Sequence, residues 1–219
     1  MKRLKDFRMN LSTRIIDHLI QAFLIFASVF LAFWLTENRE SKKMESYLET
    51  SLSQIADELE FNHRQVERIF AYYSLLIHEI DSLGELPGIN LEDHYGYELP
   101  HWRGIQTPML RATAYQTFLN SGINEAAELG LVKSLADIYN VQSVIEKLNN
   151  SFFEIATNDS GFTALSKVRH LTGIYVEILP EILTGYQYNA KPWLKVYGYD
   201  LEISNERLRQ IIENRYGIN

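Results

Sequence analysis

The chain has 219 residues, 46% of them hydrophobic, and a formal net charge of −7 at pH 7. It contains no cysteine, which excludes disulfides, thiol catalysis and cysteine-based zinc sites. The acidic balance argues against a general nucleic-acid binder, which needs a basic face.

The stretch from Ile15 to Leu83 holds neither Pro nor Gly. Within it, Leu19 to Leu35 reads LIQAFLIFASVFLAFWL, where only Gln21 and Ser28 are polar. A helix rises about 1.5 Å per residue, so about 20 residues cross a hydrocarbon core about 30 Å thick. We therefore expect a transmembrane helix over residues 15–36, preceded by a basic leader over residues 1–14. The apolar run ends in Phe33-Trp34-Leu35 without a small-x-small cleavage site, which favours an uncleaved signal anchor over a removed signal peptide. Trp34 falls where an interfacial aromatic belt would place it.

Orientation follows from the flanks. The leader carries Lys2, Arg3, Lys5, Arg8 and Arg14 against Asp6, whereas the remainder holds 16 basic and 27 acidic side chains. The positive-inside rule then places the N-terminus in the cytoplasm and the larger C-terminal part outside, in a periplasm if there is one. Asp17, Gln21 and Ser28 share one helical face. Polar groups in lipid seek partners, so this stripe can face a second copy or another membrane protein. An ion path is a sharper reading of the same stripe. Simple tolerance is the blander one, with Asp17 reaching back to the headgroups.

After the span, ENRESKKMESY at residues 37–47 forms a charged collar whose Glu and Lys spacing supports a helix. From Leu48 a heptad runs through Leu52, Ile55, Leu59, Asn62, Val66, Ile69, Tyr73, Leu76 and Ile80 to Leu83. Such a seam requires another helix against it. Phe61, Phe70 and Ile77 widen the stripe, which favours later helices of the same chain as the partner. Asn62 is expected to set register or to meet another buried polar group. Gly84 and Pro87 end the helix. A long link follows over residues 84–107. Thr107-Pro108 reads as an N-cap and first helical position, opening a helix that stops at Gly122. Residues 124–157 read as one helix or as two meeting near Gly130. A turn is expected at Asn158-Asp159-Ser160-Gly161, then a helix from about Phe162 kinked at Pro180. The Tyr-rich residues 185–200 read as irregular, and Ser204 caps a last helix, roughly Asn205 to Arg215. The fold class is all-α: a transmembrane helix continuing into a heptad-patterned helix, packed with several antiparallel helices as a bundle.

With these segments placed, three motifs stand out. They are Tyr47-Leu48-x-x-x-Leu52-x-x-x-Ala56-x-Glu58-Leu59, then Pro108-x-Leu110-x-x-x-Ala114-Tyr115-x-Thr117-x-x-x-Ser121-Gly122, and Ser134-Leu135-Ala136-x-Ile138-Tyr139. The pattern resembles an uncharacterised family of small bacterial membrane proteins with one N-terminal span and a helical C-terminal domain. The resemblance covers roughly residues 10 to 150. It implies a bacterial envelope location and no known activity, and it supplies no catalytic residues; with the span, we expect the bacterial inner membrane.

Candidate chemistry is sparse. Glu60-x-x-His63 has the spacing of a helical metal motif, but a di-iron bundle needs two such motifs. The second match, Glu98-x-x-His101, contains Pro100. A solvated helix face is the expectation at Glu60 and His63. His94 and His101, with Glu92, Asp93 and Glu98, read as an ordinary polar loop. There is no G-x-S-x-G elbow and no Gly-rich phosphate loop. No catalytic residue, metal site or cofactor is expected. Arg111 and Tyr115, one helical turn apart, can present a binding face. The Tyr-rich stretch with Trp193 is expected to pack on the core. The expected function is non-enzymatic: a membrane-anchored helical scaffold or interaction module, touching the bilayer and a second copy or a membrane partner. A ligand-sensing domain and a channel-forming effector are the alternatives.

Overall fold

A computed structural model describes residues 2–158, 163–195, 198, 202–203 and 206–216, with side chains described from residue 18 onward except at 155, 156, 158, 212, 215 and 216. The fold is all-α. The helices are α1 (Lys2–Gly84), α2 (Thr113–Asn120), α3 (Leu129–Asn158), α4 (Leu165–Gly185), α5 (Lys191–Leu194) and α6 (Glu206–Tyr216). Short 3-10 turns cover Leu91–Asp93, Gly96–Glu98 and Ile123–Ala126. Among the described residues no strand forms, and only an isolated bridge links Tyr95 to Ala164. The chain divides into two units, Met1–Glu49 and Thr50–Asn219.

The first unit is helical. Its apolar stretch is long enough to cross a membrane and none of it is buried. Phe23, Phe26, Phe30 and Phe33 are all more than half exposed. Gln21 and Ser28 lie on this helix. Asp17 is helical too, but its side chain falls outside the described residues.

The second unit is built on residues 50–84 of α1. The seam predicted from the heptad is its core: Ile55, Leu59, Val66, Ile69, Tyr73, Leu76 and Ile80 are fully buried. They pack with Phe118, Leu135, Ile145, Leu165, Val168, Tyr175, Leu179 and Leu183 from the later helices. The seam is thus filled by the same chain. Burying one such aliphatic side chain contributes roughly 1.5–3 kcal/mol.

Several boundaries differ from the sequence reading. The helix expected from Pro108 begins only at Thr113, because residues 106–111 run extended along α1 from Tyr73 to Asn62 and bond to its side chains instead. Gly130 lies inside α3 near its start and does not divide it. The 158–161 turn falls mostly outside the described residues. Pro180 sits inside α4. The Tyr-rich segment is helical rather than irregular up to Leu194, with a π-turn over Tyr186–Ala190 leading into α5. Its apolar side chains explain this: Tyr186, Ala190 and Leu194 are buried. The last helix begins at Glu206, and Ser204 lies outside the described residues.

Candidate functional site

The extended segment that leads into α2 must satisfy its backbone without a sheet. Three side chains of α1 do this. The Tyr72 hydroxyl accepts from the Arg103 N–H at 3.0 Å and donates to the Gly104 carbonyl at 2.8 Å. The Tyr73 hydroxyl accepts from the Gln106 N–H at 3.0 Å and donates to the Gln106 carbonyl. Asn62 takes both polar groups of Arg111: the Arg111 N–H donates to Oδ1 at 2.7 Å, and Nδ2 donates to the carbonyl at 2.8 Å. A primary amide suits this task, since it offers a donor and an acceptor side by side. Asn149 adds a bond to the Pro108 carbonyl at 3.2 Å and accepts from the Tyr175 hydroxyl at 2.6 Å.

One turn before Asn62 on α1 stands Glu58, only 6% exposed. Its carboxylate accepts from the Ala114 N–H at 2.9 Å, the Tyr115 N–H at 3.4 Å and the Tyr139 hydroxyl at 2.6 Å. The first two are open N–H groups of the first turn of α2, where a negative charge also complements the helix dipole. Ala112, the residue before α2, makes no side-chain cap, so Glu58 does the capping from another helix. The Tyr115 and Tyr139 rings stack at 4.1 Å and 3°. Further in, Gln142 donates to the buried Tyr186 hydroxyl at 2.5 Å and lies 3.4 Å from the Asn62 amide nitrogen. Burial pushes the Tyr139 and Tyr186 phenols well above the ordinary tyrosine range, aided by the nearby Glu58 carboxylate. Both therefore act as neutral hydrogen-bonding groups, not as acids.

Asn62, Arg111 and Tyr115 thus meet in one cluster with Glu58, Tyr139, Gln142 and Tyr186. Arg111 and Tyr115 do not share an exposed helical face. Arg111 precedes α2 and lays its guanidinium on the Phe61 ring, with Cζ 3.6 Å from the centroid, while Tyr115 is buried. Beside the cluster lies an open depression of about 450 Å³, lined in part by Gln54, Glu58, Arg111 and Thr117. Glu58 was absent from the sequence-predicted site. Its signal was its place four residues before Asn62 on the edge of an apolar stripe, where a carboxylate is costly without donors.

Other expectations also meet the structure here. The solvated face expected at Glu60-x-x-His63 is half wrong: His63 is buried, 3% exposed, beside Tyr186, whereas Glu60 pairs with Arg64. Burial pulls the His63 imidazole below its ordinary pKa, opposed by Glu67 and Glu60. In the polar loop, His94 pairs with Glu98 at 2.8 Å and His101 with Glu79. Among the described residues no three His, Asp or Glu side chains gather to hold a metal ion.

The cluster is therefore a buried clamp that fixes an extended segment and the start of a short helix on α1. No protein-family model, no curated protein and no solved structure matches this chain.

Proposed function

We propose that this chain is a single-pass membrane protein: a membrane-anchored helical scaffold or interaction module of the bacterial envelope. One observation carries the anchoring. From Leu19 to Leu35 the large apolar side chains are exposed together, including Phe33 at 72% and Trp34 at 54%. Contiguous apolar surface on this scale requires a cover, and a helix apolar on all faces is suited to lipid. The basic leader supports a cytoplasmic N-terminus, and the acidic remainder supports an exterior domain. The resemblance noted above supports a bacterial envelope location, and the apolar span supports the inner membrane within it.

The scaffold reading draws support from the second unit. Its seam is filled in cis, and its buried carboxylate, amides and phenols are engaged in holding the chain together. Alkaline carbonate washing of membranes from cells expressing the chain tests the anchor. The protein is expected to stay in the pellet. Release into the supernatant, as for a peripheral protein, overturns the reading.

A further inference from the structure

The polar side chains of the apolar helix do not share one fate. The Ser28 hydroxyl donates to the Leu24 carbonyl at 2.7 Å, and the Thr36 hydroxyl to the Ala32 carbonyl at 2.9 Å. Both hydroxyl protons are therefore satisfied within their own helix. Gln21 is different: its exposed amide makes no hydrogen bond to any described residue. If residues 15–36 span the bilayer, Gln21 lies about 7 Å from the mid-plane. There an amide has no water to bond, and two donors and an acceptor remain unmet.

The helix is also two-sided. At about 100° per residue, Gln21, Ser28 and Ala32 fall within about 40° of one another, with Leu24 and Leu35 on their flank. Phe23, Phe26, Phe30 and Phe33 lie roughly opposite. Phe26 and Phe30 stack on each other at 6.4 Å along that far side. The face bearing Gln21 carries Ser28 and Ala32 four residues apart, the small-x-x-x-small spacing that lets two backbones approach in lipid.

We propose that the span pairs in parallel with the span of a second copy of this chain, the two Gln21 amides bonding to each other. This rests on the anchoring reading above. Two features select a second copy over another occupant. A primary amide is self-complementary, offering both donor and acceptor. Moreover, copies inserted with the same orientation present position 21 at the same depth, so a two-fold axis brings each Gln21 to the other without adjustment. The heptad seam of the second unit is already filled in cis, which leaves the span as the face open to pairing.

The test uses the full chain, carrying Met109→Cys for dye attachment, in vesicles of phosphatidylethanolamine and phosphatidylglycerol. Met109 is 75% exposed and no native cysteine competes. Energy transfer between donor- and acceptor-labelled copies is followed as lipid dilutes the protein. We expect association in the parent chain, weakened about 3- to 30-fold by Gln21→Leu, restored by Gln21→Asn and unchanged by Phe26→Leu. A parent chain that stays monomeric at every dilution, or a Gln21→Leu variant that associates as well as the parent, overturns the pairing. Oxidative cross-linking of single cysteines at positions 23 to 31, in a chain with no other cysteine, adds the phase of the contact. Ser28→Cys should link best, with Ile25→Cys and Leu24→Cys on either side of it next, and a maximum at Phe23→Cys and Phe30→Cys overturns the proposed face. Flotation of the same vesicles separates the two readings. Protein that fails to float defeats the anchor itself, whereas protein that floats as a monomer defeats only the pairing.

Discussion

Asn62 shows how one side chain can replace a strand partner. It satisfies both backbone polar groups of Arg111 from within the seam, so removing it strands two partly buried groups at once. Asn62→Leu is expected to lower stability by about 2–4 kcal/mol, because each orphaned buried group costs roughly 1–3 kcal/mol. Urea unfolding of the detergent-solubilised protein followed by far-UV circular dichroism checks this, and a loss under 1 kcal/mol contradicts the clamp. His63 belongs to the same scale. Its imidazole is held below its ordinary pKa of 6.5 by burial, so the unfolded chain binds a proton that the folded chain resists. The stability it contributes is complete above pH 6.5 and declines as pH falls toward the lowered value. His63→Gln should flatten that decline between pH 7 and 5, a difference readable from unfolding midpoints. The buried tyrosines act at the other end of the scale. Burial raises Tyr73 and Tyr175, so their contribution is complete below pH 10 and is lost as pH rises through the raised values.

At the scale of elements, α2 depends on both of its ends. Glu58 caps the first turn, and Gly122 takes φ +74° just after the last. A side chain at that angle costs roughly 1–2 kcal/mol, so Gly122→Ala should lower the unfolding free energy by about 1 kcal/mol. The long link has its own tight point at Gly96, where an added Cβ would meet the Trp102 ring at 2.9 Å. Gly96→Ala is expected to displace that ring and shift tryptophan emission to the red, and unchanged emission would contradict the packing. The helices themselves were legible because apolar periodicity and punctuation agreed. Leu52 to Ile80 kept its heptad as a buried seam, and Gly84 ended α1 as read. Residues 103–112 were not legible. Thr107-Pro108 carries a local helix-start signal, but Tyr72, Tyr73 and Asn62 lie 31 to 49 residues before the groups they bond and offer the segment its bonds in extended form. Local propensity cannot register that competition. Glu58 was hidden for the same reason: its donors lie 56, 57 and 81 residues away in the chain.

On the scale of the whole molecule, the two units present opposite surfaces to their surroundings. The second unit buries the apolar seam of α1 and pairs Glu58, Asn62, Gln142 and Tyr186 across elements. The first turns Phe, Leu and Trp outward over the length of a bilayer. That contrast was readable from residue order alone, since 17 residues with two polar side chains cannot remain bare in water. The face by which one span meets another was only half readable. The sequence placed Gln21 and Ser28 on one side, but only the bond from Ser28 to Leu24 separates a satisfied hydroxyl from an amide without a partner. Sidedness is the claim on which the account turns. A single cysteine introduced by Met109→Cys, labelled in intact cells with an impermeant maleimide, measures it directly. The account predicts labelling before lysis, with the helical domain outside the inner membrane. Protection until the cells are broken would place the domain in the cytoplasm and contradict the orientation read from the basic leader.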